Sequence, residues 1–101
     1  MAVSLDKVYE ALKTCYDPEI PINIVDLGLI YDVQVDENDK VYVKMTLTAP
    51  GCPIAAEFPE MVRQRLIELA GAHDAEVEIV WFPPWNPDMM SEEAKRMLGW
   101  I

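Results

Sequence analysis

Leu29-Ile30-Tyr31-Asp32-Val33-Gln34-Val35-Asp36 leads, through a polar turn from Asp36 to Lys40 that contains Asn38, into Val41-Tyr42-Val43-Lys44-Met45-Thr46-Leu47-Thr48. In each run one set of alternate positions is apolar: Leu29, Tyr31, Val33 and Val35, then Val41, Val43, Met45 and Leu47. A period of two marks strands with one buried face. The short polar turn makes the pair an antiparallel hairpin, which is the seed of the fold.

Upstream, Leu5, Val8, Leu12 and Cys15 recur at helical spacing, with Tyr9 and Tyr16 beside them. Ser4 suits the cap of this helix, Asp6 its first turn, and Asp17-Pro18 its end. Glu19 to Gly28 fits neither period, and a loop this apolar must lie against the protein. Downstream of the hairpin, Ala49-Pro50-Gly51-Cys52-Pro53 turns into a helix with Ile54, Phe58, Met61, Val62, Leu66 and Leu69 inward. Gly71 stops that helix. Val77, Ile79 and Trp81 alternate with Glu76, Glu78 and Val80 as a third strand, closed by Pro83-Pro84. A short helix from Ser91 to Leu98 ends at Gly99. The order helix, strand, strand, helix, strand predicts a two-layer α+β domain with a small mixed sheet and the helices on one face. It is read as one domain over residues 1–101, with a Pro/Trp tail from about residue 83.

The chain has 101 residues, 51% hydrophobic and 26% charged, and roughly 65% of its unfolded surface is buried on folding. Its formal charge of -10 repels phosphate backbones and anionic lipid, so no nucleic-acid or membrane partner is expected. No run of 18 apolar residues is present, and Met1 to Lys7 lacks the pattern of a signal peptide. A cytoplasmic protein with two free thiols, Cys15 and Cys52, is the expectation.

Cys52 is the foremost candidate for chemistry. With Pro53 at the first helical position, Cys52 becomes the N-cap, where free amides and the helix dipole favour a thiolate that binds soft metals or attacks electrophiles. The plain alternative is a small side chain filling a turn. Pro59, inside the proposed helix, implies a kink or a break there. Cys15 reads as core. His73 is the sole histidine. It lies about 27 Å along the helix from Cys52 and reads as exposed and inert. Asp17, Glu19 and Asp26 gather in the apolar loop, as capping carboxylates, general acids or bases, or hard-metal ligands. Thr46 and Thr48 are expected on the outward sheet face, beside Cys52. Asp36, Glu37 and Asp39 read as a solvated turn. Trp81, Phe82 and Trp85 around Pro83-Pro84 read as an aromatic knot that packs the tail onto the sheet or meets a partner.

Taken in order, Asp17-Pro18-Glu19, Asp26-Leu27-Gly28-Leu29, Thr48-Ala49-Pro50-Gly51-Cys52-Pro53 and Pro83-Pro84-Trp85 resemble the SufT/PaaD-like iron–sulfur cluster assembly domains, also called metal–sulfur cluster biosynthesis proteins or the domain of unknown function fifty-nine. The similarity runs from about Leu5 to Gly99. It implies the fold of other small iron–sulfur assembly domains and a role in maturing iron–sulfur proteins, by carrying clusters transiently or targeting them to client apo-proteins. The family's cysteine falls on Cys52, its threonine on Thr48, its acidic motif on Asp17 and Glu19, and its Asp-Leu-Gly motif on Asp26 and Gly28. Clusters usually take four thiolates, and one plausible ligand is present. A second chain in a weak homodimer, a partner, or a small thiol therefore completes the shell, unless no cluster is bound. The rival readings are a metal-free adaptor within an assembly complex and a small thiol enzyme using Cys52 with a nearby carboxylate.

Overall fold

A computed structural model of the protein describes residues 3–17, 20–48 and 57–99. Ser4 opens α1 (Leu5–Leu12) by accepting the Lys7 amide on its hydroxyl at 3.2 Å. Val8, Ala11 and Leu12 are buried, whereas Leu5, expected inward, is 53% exposed. The helix stops at Leu12, short of Asp17-Pro18. The Thr14 hydroxyl donates to the Ala11 carbonyl at 2.6 Å, a local bond that competes with continued helix. Cys15 therefore lies past the helix but stays in the core, its thiol donating to the Ala11 carbonyl at 3.8 Å.

The chain then folds back on itself. Tyr16 and Asn23 form an antiparallel bridge, and the Ile24 amide donates to the Cys15 carbonyl at 3.0 Å. Ile22, Ile24 and Leu27 are buried, as an apolar loop requires.

The hairpin forms as its period predicts. β1 (Ile30–Val35) pairs antiparallel with β2 (Lys40–Met45), Val33 opposite Val43 and Val35 opposite Val41, with an irregularity between Ile30 and Asp32. Val41, Val43 and Met45 are buried while Tyr42 and Lys44 are exposed. β3 (Asp74–Ile79) lies parallel to β2, Val43 opposite Val77, giving a mixed sheet of order β1-β2-β3. It ends before Pro83-Pro84, and Trp81, expected inward, is 43% exposed.

Between these strands, α2 (Phe58–Ala70) packs on both α1 and β3 and buries Phe58, Val62, Leu66 and Ala70 at every fourth position. Leu69 falls off that stripe and is 52% exposed. Glu57 is the N-cap of α2, so the helix does not open at Pro53 and Cys52 is not its cap. Pro59 sits in the first turn, where a missing amide costs nothing, so it neither kinks nor breaks the helix. Cys52, Pro53 and Ile54 lie outside the described residues, as does Glu19. Gly71, at φ +76°, ends α2 as expected. Arg63 then ties α2 to β3, donating to the Ala75 carbonyl at 3.1 Å and pairing with Asp74 at 2.9 Å.

The C-terminal segment comprises a 3-10 turn (Pro87–Met89) and α3 (Glu92–Met97), capped by the Ser91 hydroxyl on the Ala94 amide. It is anchored on the turn preceding β1. The Trp85 indole donates to the Leu27 carbonyl at 2.7 Å, the Ser91 amide to the Asp26 carbonyl at 2.8 Å, and the Tyr31 hydroxyl to the Pro83 carbonyl at 2.8 Å. Gly28 makes this approach possible. Its φ is +79°, and a β-carbon there would collide with the Met89 carbonyl. No helix among the described residues is long and apolar enough to cross a membrane.

Candidate functional site

Two of the sequence motifs meet at the end of β2. Asp17, 5% exposed, accepts the Ile20 amide at 3.0 Å and the Thr48 hydroxyl at 3.3 Å. The first bond closes the apolar loop on itself. The second joins the acidic motif to the strand end that runs on towards Cys52, across 31 positions of sequence. Asp17 is thus a buried acceptor for Ile20 and Thr48.

Asp26 belongs to a separate network. Its carboxylate accepts the Asn23 side-chain amide at 2.7 Å, while the Asn23 carbonyl oxygen accepts the backbone amides of Val25 and Asp26. Asn23 therefore organises the turn, a role the sequence reading passed over. Its signal was the Asn-x-x-Asp spacing in a loop, which suits a side chain that bonds backbone amides two and three residues on. Through its carbonyl, Asp26 holds the C-terminal segment. Asp17 and Thr48 are brought together, Asp26 serves the tail, and Glu19 and Cys52 lie outside the described residues.

Thr46 departs most from expectation. It was assigned to the outward face, yet it is fully buried and its hydroxyl has no hydrogen-bond partner among the described residues. The reason is tertiary. The Val80 amide donates to the Met45 carbonyl at 2.8 Å, which carries the chain after β3 past the end of β2. Trp81, Pro84 and Trp85 then enclose a cavity of about 90 Å³ with Thr46, Leu47 and Thr48. The aromatic knot is accordingly both packed and open: Trp85 is half-buried, while Phe82 is 85% exposed.

At the opposite end of the sheet lies a wider recess of about 880 Å³, lined by Asp36, Asn38, Asp39, Lys40, Tyr42, Arg63, His73 and Asp74. Its acidic side chains are structural rather than merely solvated. Asp36 accepts the Asn38 and Lys40 amides at 2.8 and 3.0 Å, and these bonds hold its carboxyl below the usual range, with Lys40 the larger cause. Asp39 accepts the Val3 amide on its carboxylate and the His73 amide on its carbonyl. Asp74 is likewise lowered by the Ala75 amide and by Arg63. His73 is exposed, as expected. Burial pushes the Cys15 thiol up, which favours its neutral form. Among the described residues, no three His, Cys, Asp or Glu side chains gather closely enough to hold a metal ion.

Comparison with known proteins places this geometry in context. The profile of the iron–sulfur cluster assembly protein family matches residues 5–79. The chain is 46% identical over 96 residues to an Fe-S protein maturation auxiliary factor of Porphyromonas gingivalis, covering 95% of this chain and 91% of that protein. It is 49% identical over 83 residues to the Fe-S protein maturation auxiliary factor SufT of Staphylococcus aureus, covering 82% and 94%. A crystal structure of a domain of unknown function from Bacillus anthracis superposes with a TM-score of 0.86 at 41% identity, over 93% of this chain and 90% of that one. By sequence profile, by relatives and by fold, the chain belongs to the iron–sulfur cluster assembly protein family.

Proposed function

We propose that this protein matures iron–sulfur proteins, passing clusters to client apo-proteins or directing them there, with Cys52 as its thiolate. The observation that carries the reading is the Thr48–Asp17 bond at 3.3 Å. It ties Thr48, four positions before Cys52 in sequence, to a buried carboxylate. Family membership and the names of the relatives support the same role. A cluster is cargo here, held by Cys52 and by thiolates from a partner, a second chain or a small thiol, because four are usually needed. A shell so incomplete suits transfer rather than storage. Asp17 and Thr48 act by positioning, and Asp26 acts through the tail.

The adaptor reading keeps one specific support. Exposed Trp81 and Phe82 offer a docking edge. One experiment decides between them. The protein is reconstituted anaerobically with iron and sulfide, and client maturation is assayed for the parent and for Cys52→Ser. The transfer reading expects a visible cluster spectrum and maturation that both collapse in the variant, with melting essentially unchanged. Normal maturation by Cys52→Ser leaves the adaptor reading in place.

A further inference from the structure

The free edge of β3 is closed at its start and open beyond it. In β2 the even-numbered residues face β1, because the Asp36 amide donates to the Lys40 carbonyl at 3.0 Å and the Thr46 amide to the Leu29 carbonyl at 2.9 Å. The odd-numbered residues therefore face β3, in keeping with the Val80 amide on the Met45 carbonyl at 2.8 Å. With Val43 opposite Val77, the backbone groups of Glu76, Glu78 and Val80 turn towards β2, and those of Ala75, Val77 and Ile79 turn outward. Ala75 is already occupied: its amide bonds the Asp74 carboxylate and its carbonyl accepts Arg63 at 3.1 Å. Val77 and Ile79 have no backbone partner on that side among the described residues. Their side chains are half-buried against the core, while Glu76 and Glu78 are exposed on the other face of the sheet. Lys40 reaches Glu76 only at 3.9 Å and leaves its side chain 66% exposed. Lys44, opposite Glu78 in register, forms no ion pair with it among the described residues.

We propose that the Val77–Ile79 edge of β3 takes up an extended segment of a protein partner as a fourth strand, with lysine or arginine beside Glu76 and Glu78 and apolar residues beside Val77 and Ile79. The free amides and carbonyls supply the ladder, and the alternation of the edge sets the alternation of the segment. A second copy of this chain is a poor occupant. Antiparallel pairing of two β3 edges sets glutamates against glutamates, and a β1 edge brings Asp32 to the same face. The net charge of -10 opposes self-association and favours a basic segment. Naming the partner as a client rests on the maturation role proposed above, but strand addition itself does not require Cys52.

The test uses the full chain and three peptides: acetyl-Lys-Val-Lys-Val-Lys amide, the same peptide N-methylated at both valines, and a counterpart with glutamate in place of lysine. Binding is followed by NMR, through the shifts and hydrogen exchange of the Val77 and Ile79 amides. The lysine peptide is expected to shift both amides saturably and slow their exchange, and the other two peptides to leave them unchanged. Glu76→Lys combined with Glu78→Lys should weaken the lysine peptide about tenfold and admit the glutamate one, with the fold retained because both side chains are exposed. Val77→Pro removes an outward amide while sparing the ladder to β2, and should abolish binding. The double lysine variant keeps the test open should Val77→Pro misfold. Equal binding of the glutamate peptide, undiminished binding of the N-methylated one, no binding at all, or concentration-dependent protection of Val77 and Ile79 in the chain alone overturns the proposal. Cys52→Ser should bind the lysine peptide as the parent does, so failure of the maturation role and failure of strand addition read out separately.

Discussion

The two ends of the sheet are built on opposite principles. At the hairpin end, Asp36 binds two backbone amides, Asp39 ties Val3 and His73 together, and Arg63 bridges Asp74 and Ala75. The recess there is the larger of the two, but these polar groups already have work within the fold. At the other end the cavity is about a tenth of that volume, walled by indoles and proline, and lined by Thr46, whose buried hydroxyl has no partner among the described residues. An orphan hydroxyl costs stability, and its retention is the better pointer to function than cavity size. Charge marks the structural end, and an unmet hydrogen bond marks the candidate site.

The largest effect that sharpens this contrast comes from Gly28→Ala. The substitution combines a left-handed φ with a collision against Met89, and should destabilise by about 3 kcal/mol while freeing the C-terminal segment. Thermal melting measures the loss, and Trp85 fluorescence reports the detachment. A melting temperature close to the parent's would break the claim that the tail is fastened at this turn.

Thr46→Val should act in the opposite direction. Replacing an unpartnered buried hydroxyl with a methyl is expected to raise stability by about 1.5 kcal/mol, seen as a higher midpoint in chemical denaturation. A drop in that midpoint would mean that the hydroxyl is satisfied after all, and the distinction between the two ends would lose its basis.

Cys15→Ala should cost about 1 kcal/mol through lost packing and leave maturation intact. Because burial raises the Cys15 pKa, the thiol's contribution is complete below the unfolded value near ~8.5 and fades as pH rises above it. The parent should therefore lose melting temperature above about pH 8.5 more steeply than the variant. Parallel curves would contradict the core assignment.

The smallest effect belongs to the hairpin end. Asp36 and Asp74 have lowered folded pKa values, so their contributions are present above the unfolded value near ~3.9 and vanish as pH falls through the folded ones. Asp36→Asn and Asp74→Asn should flatten the acid limb of melting temperature against pH, with a small loss near neutrality where the carboxylate contributions are present. An acid limb as steep as the parent's in both variants would transfer acid sensitivity elsewhere.

What the residues determine alone is whatever depends on near neighbours along the chain. Period-two alternation placed both hairpin strands and the buried faces of Val41, Val43 and Met45. The side chains of Ser4 and Ser91 and the left-handed Gly71 marked helix ends, because capping is satisfied within a few residues. The four motifs also identified the family, which the comparisons bear out. Tertiary structure decided the rest. Alternation correctly put Thr46 out of phase with the core, but a tail more than thirty residues downstream enclosed it. Asp39 looked solvated until Val3 and His73 arrived from distant positions to bond it. Pro59 looked like a helix breaker because the helix start was placed too early, and the observed start makes it ordinary. Periodicity tells a side chain which way to face, whereas what comes to cover it is settled by contacts between segments far apart in the chain.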